Sequence, residues 1–187
     1  MQKLNEAELI LLDGIQSLVQ NRVFDVLMPI ITFFGDAGWI WIAIGVFLFC
    51  FRKHRRAGLT MLVGLLCSLL IGNLLLKLTV ARERPCWINE AVTLLIETPQ
   101  DYSFPSGHTL ASFIGATVLG LYRRKWGYIA FPLAALIAFS RLYLYVHYPT
   151  DVLASVLLGI AIGYAVTYVI KHFYKEKSHE TDFEPKL

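Results

Sequence analysis

The chain has 187 residues, 56% of them apolar and 17% charged, with a formal charge of +3 and a mean hydropathy of +0.56. That composition excludes an ordinary soluble domain, and the length excludes two domains of usual size. Three cysteines, Cys50, Cys67 and Cys86, two of them inside apolar runs, offer no disulfide framework.

Residues 6–19, AELILLDGIQSLVQ, place apolar side chains at helical spacing with Glu6, Asp13 and Gln16 between them, the pattern of an amphipathic or interfacial helix. Acidic Glu6 and Glu8 near the start, with no basic region leading to a small-residue cleavage site, predict that no signal peptide is removed. Residues 23–34 are apolar but short, and cross a bilayer only if tilted, extended or met by local thinning. After the Gly35-Asp36 break, spans are expected at 37–51, 57–79, 107–122, 126–146 and 151–170, several reaching the roughly 20 residues a crossing helix needs. Basic clusters separate them: Arg52, Lys53, Arg55 and Arg56; then Arg123, Arg124 and Lys125; then Lys171, Lys175 and Lys177. Loops rich in Lys and Arg stay cytoplasmic, so the opposite helix ends face outward. The connection 85–105 carries Glu90, Glu97, Asp101 and three prolines and reads as an external loop, with the apolar run 91–96 dipping into the interface.

The expected fold class is therefore all-α: a polytopic membrane helix bundle of about six transmembrane helices with an N-terminal amphipathic segment and both ends cytoplasmic. One domain covers 1–173. A polar cytoplasmic tail, 174–187, is expected to fray.

Three motifs place anion chemistry at the outward helix ends. Lys77 and Arg84 lie two helical turns apart, about 10 Å, so both reach one anion; Pro85 turns Arg84 out of helical geometry at the helix mouth. Ser106 is a candidate N-cap for the next span, with Gly107 allowing close backbone approach and free N–H groups able to hold phosphate oxygens. His108 then sits beside the bound anion with a titration range suited to proton donation. In the third motif His147 and Asp151 are four residues apart, which lets the carboxylate accept from one imidazole nitrogen and leaves the other free to attack phosphorus. Arg141, six residues earlier, lies about 120° away around an ideal helix and needs a helix end, favoured by Pro149 just after His147, or its full reach. Taken singly, each motif also reads as interfacial anchoring, an ordinary cap or a helix-dipole acid. All three fall on one side of the membrane.

Together they resemble the type 2 phosphatidic acid phosphatase superfamily, which includes membrane lipid phosphatases, soluble acid phosphatases and vanadium haloperoxidases. KLTVARERP, PSGH and SRLYLYVHYPTD match every fixed position of its pattern between Lys77 and Asp151, while residues 1–76 fit by hydropathy alone. The resemblance implies His147 as a nucleophile forming a phosphohistidine, Asp151 orienting it, and His108 as general acid and later base. Lys77, Arg84, Ser106, Gly107 and Arg141 would clamp the phosphoryl oxygens. Arg82 is not a family position and receives no catalytic part. No metal or cofactor is expected. The implied substrate is a lipid phosphate or diphosphate in the cell membrane, met at the extracytoplasmic face: undecaprenyl diphosphate first, with phosphatidylglycerol phosphate or phosphatidic acid as the alternative. No nucleic-acid partner is expected, and the oligomeric state is open. A two-histidine, one-carboxylate metal site and a non-catalytic lipid transporter are the competing classes.

Overall fold

The computed structural model describes residues 2–181. Among them the regular structure is helical: α1 (Gln2–Val19), α2 (Arg22–Phe33), α3 (Trp39–Cys50), α4 (Arg55–Cys67), a π-helical stretch Ser68–Leu76, then α5 (Lys77–Val80), α6 (Pro85–Ile88), α7 (Gly107–Tyr122), α8 (Arg124–Tyr143) and α9 (Pro149–Thr181). Asn21 caps α2 by accepting from the N–H groups of Val23 and Phe24.

α7 is the axis of the bundle. Every residue from Thr109 to Leu119 is buried, the mark of a helix packed on all sides. Small residues bring its neighbours close. A Cβ on Gly159 would lie 2.9 Å from the Leu110 carbonyl and one on Gly163 would lie 2.7 Å from Thr117, the small-xxx-small spacing of membrane helix pairs. Trp41 of α3 lies against Gly115 and donates from Nε1 to Ser112 Oγ at 3.0 Å. Outside this core, large apolar side chains such as Phe47, Leu66, Leu74, Leu157 and Tyr168 are exposed, as on a surface solvated by lipid.

Among the described residues three segments are long and apolar enough to cross a membrane: Arg55–Ile88, Arg124–Tyr143 and Pro149–Tyr174. The α2–α3 pair passes only as a unit, bent by 42°. The expected crossings 23–34 and 37–51 fall on this bent pair, neither half of which is long and apolar enough alone. Gly35-Asp36 with Ala37 (φ 49°) and Gly38 (φ 67°) kinks the chain without reversing it. α9 continues to Thr181, as its Lys- and Glu-rich sequence permits, and 182–187 lie outside the described residues. The run 91–96 packs inward, with Val92, Leu94 and Ile96 against Tyr143, Tyr145, Val146 and their neighbours. All three cysteines are free.

The basic clusters meet at one end. Lys171 Nζ donates to the Leu121 carbonyl at 3.1 Å, Arg56 stacks on Tyr174 and His54 on Trp126. The chemistry-bearing motifs lie at the opposite ends of the same helices, because α4 starts at Arg55 and leads to Lys77 while α7 starts at Gly107 and leads to Tyr122.

Gly58 marks the tightest crossing, where a Cβ would stand 2.3 Å from the Phe49 amide and 2.5 Å from the Gly45 carbonyl. Gly58→Ala is expected to cost about 1–3 kcal/mol by overpacking. Gly14→Ala, in open space on α1, should gain roughly 0.5–1 kcal/mol of helix stability. Thermal unfolding of the detergent-purified proteins should move in opposite directions for the two.

Candidate active site

The motif residues converge on a cavity of about 1010 Å³ lined by Lys77, Arg84, Gly107, His108, Arg141 and His147. Each arrives from a different element. Lys77 ends the π-helical stretch, a widened helix geometry common at functional sites. Arg84 is extended (φ −79°, ψ 152°) ahead of Pro85, as the residue before proline should be. Gly107 and His108 open α7, and Arg141 lies in the last turn of α8. His147 stands in a five-residue turn, because α8 ends at Tyr143, earlier than Pro149 alone suggests. Tyr145 takes a left-handed conformation there (φ 60°). Its hydroxyl donates to Asp13 at 2.7 Å and accepts from Asn89 at 3.2 Å.

His147 is buried, and its two ring nitrogens face different partners. Nε2 points at Arg84 Nη1, 3.2 Å away, so it carries the lone pair. Nδ1 faces Ser103 Oγ at 3.4 Å, and that hydroxyl donates to Asp151 Oδ2 at 2.5 Å. The direct Nδ1 to Oδ2 distance is 3.7 Å. The four-residue spacing thus brings carboxylate and imidazole together, with Ser103 completing the link. Burial, and after it the charges of Arg84 and Arg141, hold the His147 imidazole well below its ordinary pKa, so the ring is neutral and nucleophilic across the physiological range.

The cations are held in different ways. Lys77 Nζ is paired with Asp101 Oδ2. Arg84 donates to Asp101 Oδ1 and to the Asp101 carbonyl, both at 2.6 Å, and to the Val146 carbonyl at 2.7 Å. Arg141 donates from Nη1 to Thr32 Oγ1, but its buried Nε has no partner among the described residues. Arg141 as a residue nevertheless lines the cavity, alongside Lys77, Arg84 and His147.

Two expected site residues stand behind the cavity wall. Asp151 is fully buried, consistent with orienting His147 from behind. Ser106 takes up the N-cap position expected from the sequence. Its Oγ accepts from the Thr109 amide (3.5 Å) and hydroxyl (3.0 Å), and its amide donates to Ser155 Oγ at 2.8 Å. Ser106 forms the cap and Gly107 reaches the cavity.

Several participants are invisible in the linear pattern. Asp36, at the α2–α3 kink, places Oδ1 2.7 Å from His108 Nε2, with Gly35 packed so closely that a Cβ would lie 2.7 Å from the His108 ring. Asp101 and Ser103 come from the 89–106 connection, and only its acidic character was legible. Arg82 bonds Asp151 directly at 2.5 Å.

The architecture is that of a helical membrane protein whose buried cations and paired histidines form an anion-handling site. A model of the PAP2 superfamily matches residues 57–175, and the chain belongs to that superfamily. It is 36% identical over 121 residues to an undecaprenyl-diphosphatase of Sulfolobus acidocaldarius, covering 64% of this chain and 58% of that protein. It is 32% identical over 142 residues to undecaprenyl-diphosphatase BcrC of Bacillus subtilis, covering 74% of this chain and 70% of that one. The fold matches the crystal structure of a transmembrane PAP2-type phosphatidylglycerolphosphate phosphatase from Bacillus subtilis with a TM-score of 0.73 at 24% identity, over 94% of this chain and 88% of that one.

Asp101 occupies two of the cations that the motif reading assigns to phosphate. Burial works against its charge, but the hydrogen bond from Lys77 and the charge of Arg84 outweigh it and hold the carboxyl at about 2. A depressed carboxylate contributes stability above its unfolded value of about 3.9 and loses it as the pH falls through the folded value. The cluster is therefore intact throughout pH 5–9. Because this carboxylate competes with an incoming anion, Asp101→Asn should lower the inhibition constant of inorganic phosphate severalfold at pH 7, read in an activity assay.

Proposed function

We propose that this protein is a metal-independent lipid phosphatase of the cell membrane that hydrolyses undecaprenyl diphosphate to undecaprenyl phosphate through a phosphohistidine. The observation that carries this reading is His147 Nε2 facing Arg84 at a cavity that Lys77, His108 and Arg141 also line. The same cavity continues along Phe33, Ile42, Leu62, Leu66 and Leu69. An anionic head on an apolar tail fits such a lining. The names of the similar undecaprenyl-diphosphatases support the polyprenyl diphosphate. A second reading, phosphatidylglycerol phosphate, draws its support from the name of the structural neighbour.

In the first step His147 Nε2 attacks the terminal phosphorus. The N–P bond forms as the bond to the bridging oxygen breaks, and His108 gives a proton to the departing lipid phosphate. Water then attacks the phosphohistidine, His108 accepts its proton, and inorganic phosphate leaves as the N–P bond breaks. Arg84, Arg141, Lys77 and the Gly107 backbone at the start of α7 stabilise the charge on the transferring phosphoryl group. Asp36 offers the protonated His108 ring a negative neighbour. The cations around His147 also oppose the metal-site alternative by repelling a divalent ion.

The membrane is crossed by the α2–α3 pair, the α4 to α5 helix, α7, α8 and α9, in one domain over 1–173, with α1 against the outer loops. The gathering of Arg56, Arg123, Arg124 and Lys171 at one end supports a cytoplasmic position for that end and an extracytoplasmic one for the cavity.

The test is phosphate release by the detergent-purified protein with chelator present, from undecaprenyl diphosphate and phosphatidylglycerol phosphate at matched micellar concentration. Release should be fastest from the diphosphate, and His147→Ala should abolish it. A preference for phosphatidylglycerol phosphate would select the second reading, and activity that requires added metal would overturn the mechanism. The pH profile of kcat/KM should be bell-shaped, because His147 must be neutral and His108 protonated. Its acid limb should fall below the ordinary histidine value of about 6.5, since His147 is held down by burial and neighbouring cations.

A further inference from the structure

Arg82 is two residues from Arg84 in the same segment and buried to a similar degree, yet it faces no cavity. All five of its N–H donors are used. Nη1 donates to Asp151 Oδ1 at 2.5 Å and to Thr150 Oγ1 at 2.8 Å. Nη2 donates to Glu8 Oε2 at 2.5 Å and to Asn5 Oδ1 at 2.7 Å, and Nε donates to Asn5 Oδ1 at 3.1 Å. The guanidinium also lies 3.8 Å from the centre of the Tyr148 ring. With no donor left, Arg82 cannot bind substrate as Arg141 can.

Glu8 holds the other side of the network. It is only 3% exposed, although the linear pattern makes α1 an amphipathic helix with its acids in water. Its Oε1 accepts from the Thr150 amide at 2.7 Å and its Oε2 from the Thr150 hydroxyl at 3.0 Å. Thr150 is in the first turn of α9, where free N–H groups and the helix dipole favour a carboxylate. Glu8 therefore joins α1 to the turn that carries Asp151. Burying three charges in an apolar bundle is costly unless each is paired and hydrogen-bonded, and here each is.

We propose that Arg82, anchored by Glu8, is a positioning residue for the catalytic histidine: it fixes the Asp151 carboxylate, and through it and Ser103 the Nδ1 side of His147. The line of groups runs Glu8, Arg82, Asp151, Ser103, His147 and Arg84, with the charges alternating in sign. α1 is thereby part of the catalytic apparatus. Arg82 tempers the negative charge that Asp151 presents to His147, and Glu8 tempers Arg82. The proposal rests on the phosphohistidine reading for its kinetic consequence, though its geometric content does not.

The experiment uses the full-length protein in detergent with Glu8→Gln, Arg82→Gln and Arg82→Lys. The other charged or titratable groups facing His147 are unchanged in all three: Lys77, Arg84, His108 of α7, Arg141 of α8 and Asp151 of α9. Arg82→Gln leaves Asp151 more negative and should move the acid limb of kcat/KM upward by roughly half a unit, below the 1–3 units of a charge in direct contact. Glu8→Gln leaves Arg82 less neutralised and should move it downward, with the double variant falling between. Arg82→Lys keeps the charge but not the five-donor fork, so kcat should fall about tenfold or more with the limb in place and KM within about twofold.

A readout independent of turnover is the side-chain nitrogen NMR signal of His147 in protein labelled with ¹⁵N-histidine, assigned by its loss in His147→Gln. It should show the Nδ1–H form in the native protein, and its titration should shift with the same opposite signs in the two charge variants. If Arg82→Gln does not fold, Glu8→Gln and Arg82→Lys carry the same comparison. Folded variants with native kcat and an unmoved His147 signal would overturn the proposal and leave the network purely structural. Absence of turnover in the native protein, with the His147 signal responding as expected, would instead overturn the phosphatase reading and keep the positioning role.

Discussion

Everything in this molecule is organised around positive charge taken out of water. Lys77, Arg82, Arg84 and Arg141 are all buried at one end of a helix bundle otherwise filled with aliphatic and aromatic side chains. A cation in such surroundings is stable only with a paired anion or a full set of hydrogen bonds. Three of the four have these from the protein: Lys77 and Arg84 from Asp101, and Arg82 from Glu8 and Asp151. Arg141 donates to Thr32 but keeps a buried Nε without a partner among the described residues, and its side chain lines the cavity.

The apolar scaffold makes this arrangement possible by being rigid where the charges are. α7 is enclosed along its length, and glycines on α9 bring that helix against the α7 backbone. The helix start that carries Gly107 and His108 is therefore fixed by packing many residues away. The π-helical stretch before Lys77 and the kink at Gly35-Asp36 are the two places where regular helix geometry is given up. Both deliver a charged side chain to the cavity. Irregular backbone at a site surrounded by regular helices is the expected pattern when function competes with local propensity.

The two histidines are served unequally. His147 sits in a closed environment with a bonded carboxylate system behind Nδ1 and a cation before Nε2. His108 lies nearer the opening, beside the half-exposed Asp36. A buried, neutral ring and a more accessible one are what the proposed two-step phosphoryl transfer asks of them, since in it the second exchanges protons with leaving group and water.

Hydropathy and motif spacing by themselves determined the helical class, the burial of the apolar runs, the grouping of the basic loops and six of the cavity residues. Those signals are local, because helix periodicity and short motifs are carried by neighbours in the chain. Only the tertiary structure decided that α2 and α3 meet at a 42° bend, because the bend depends on φ values at Ala37 and Gly38 that packing selects. It likewise decided that Ser103 lies between His147 and Asp151. The roles of Asp36, Asp101, Arg82 and Glu8 were hidden for one physical reason: each charge is satisfied by partners at least 17 residues away in sequence, and the pairing energy exists only once the helices have brought the two together.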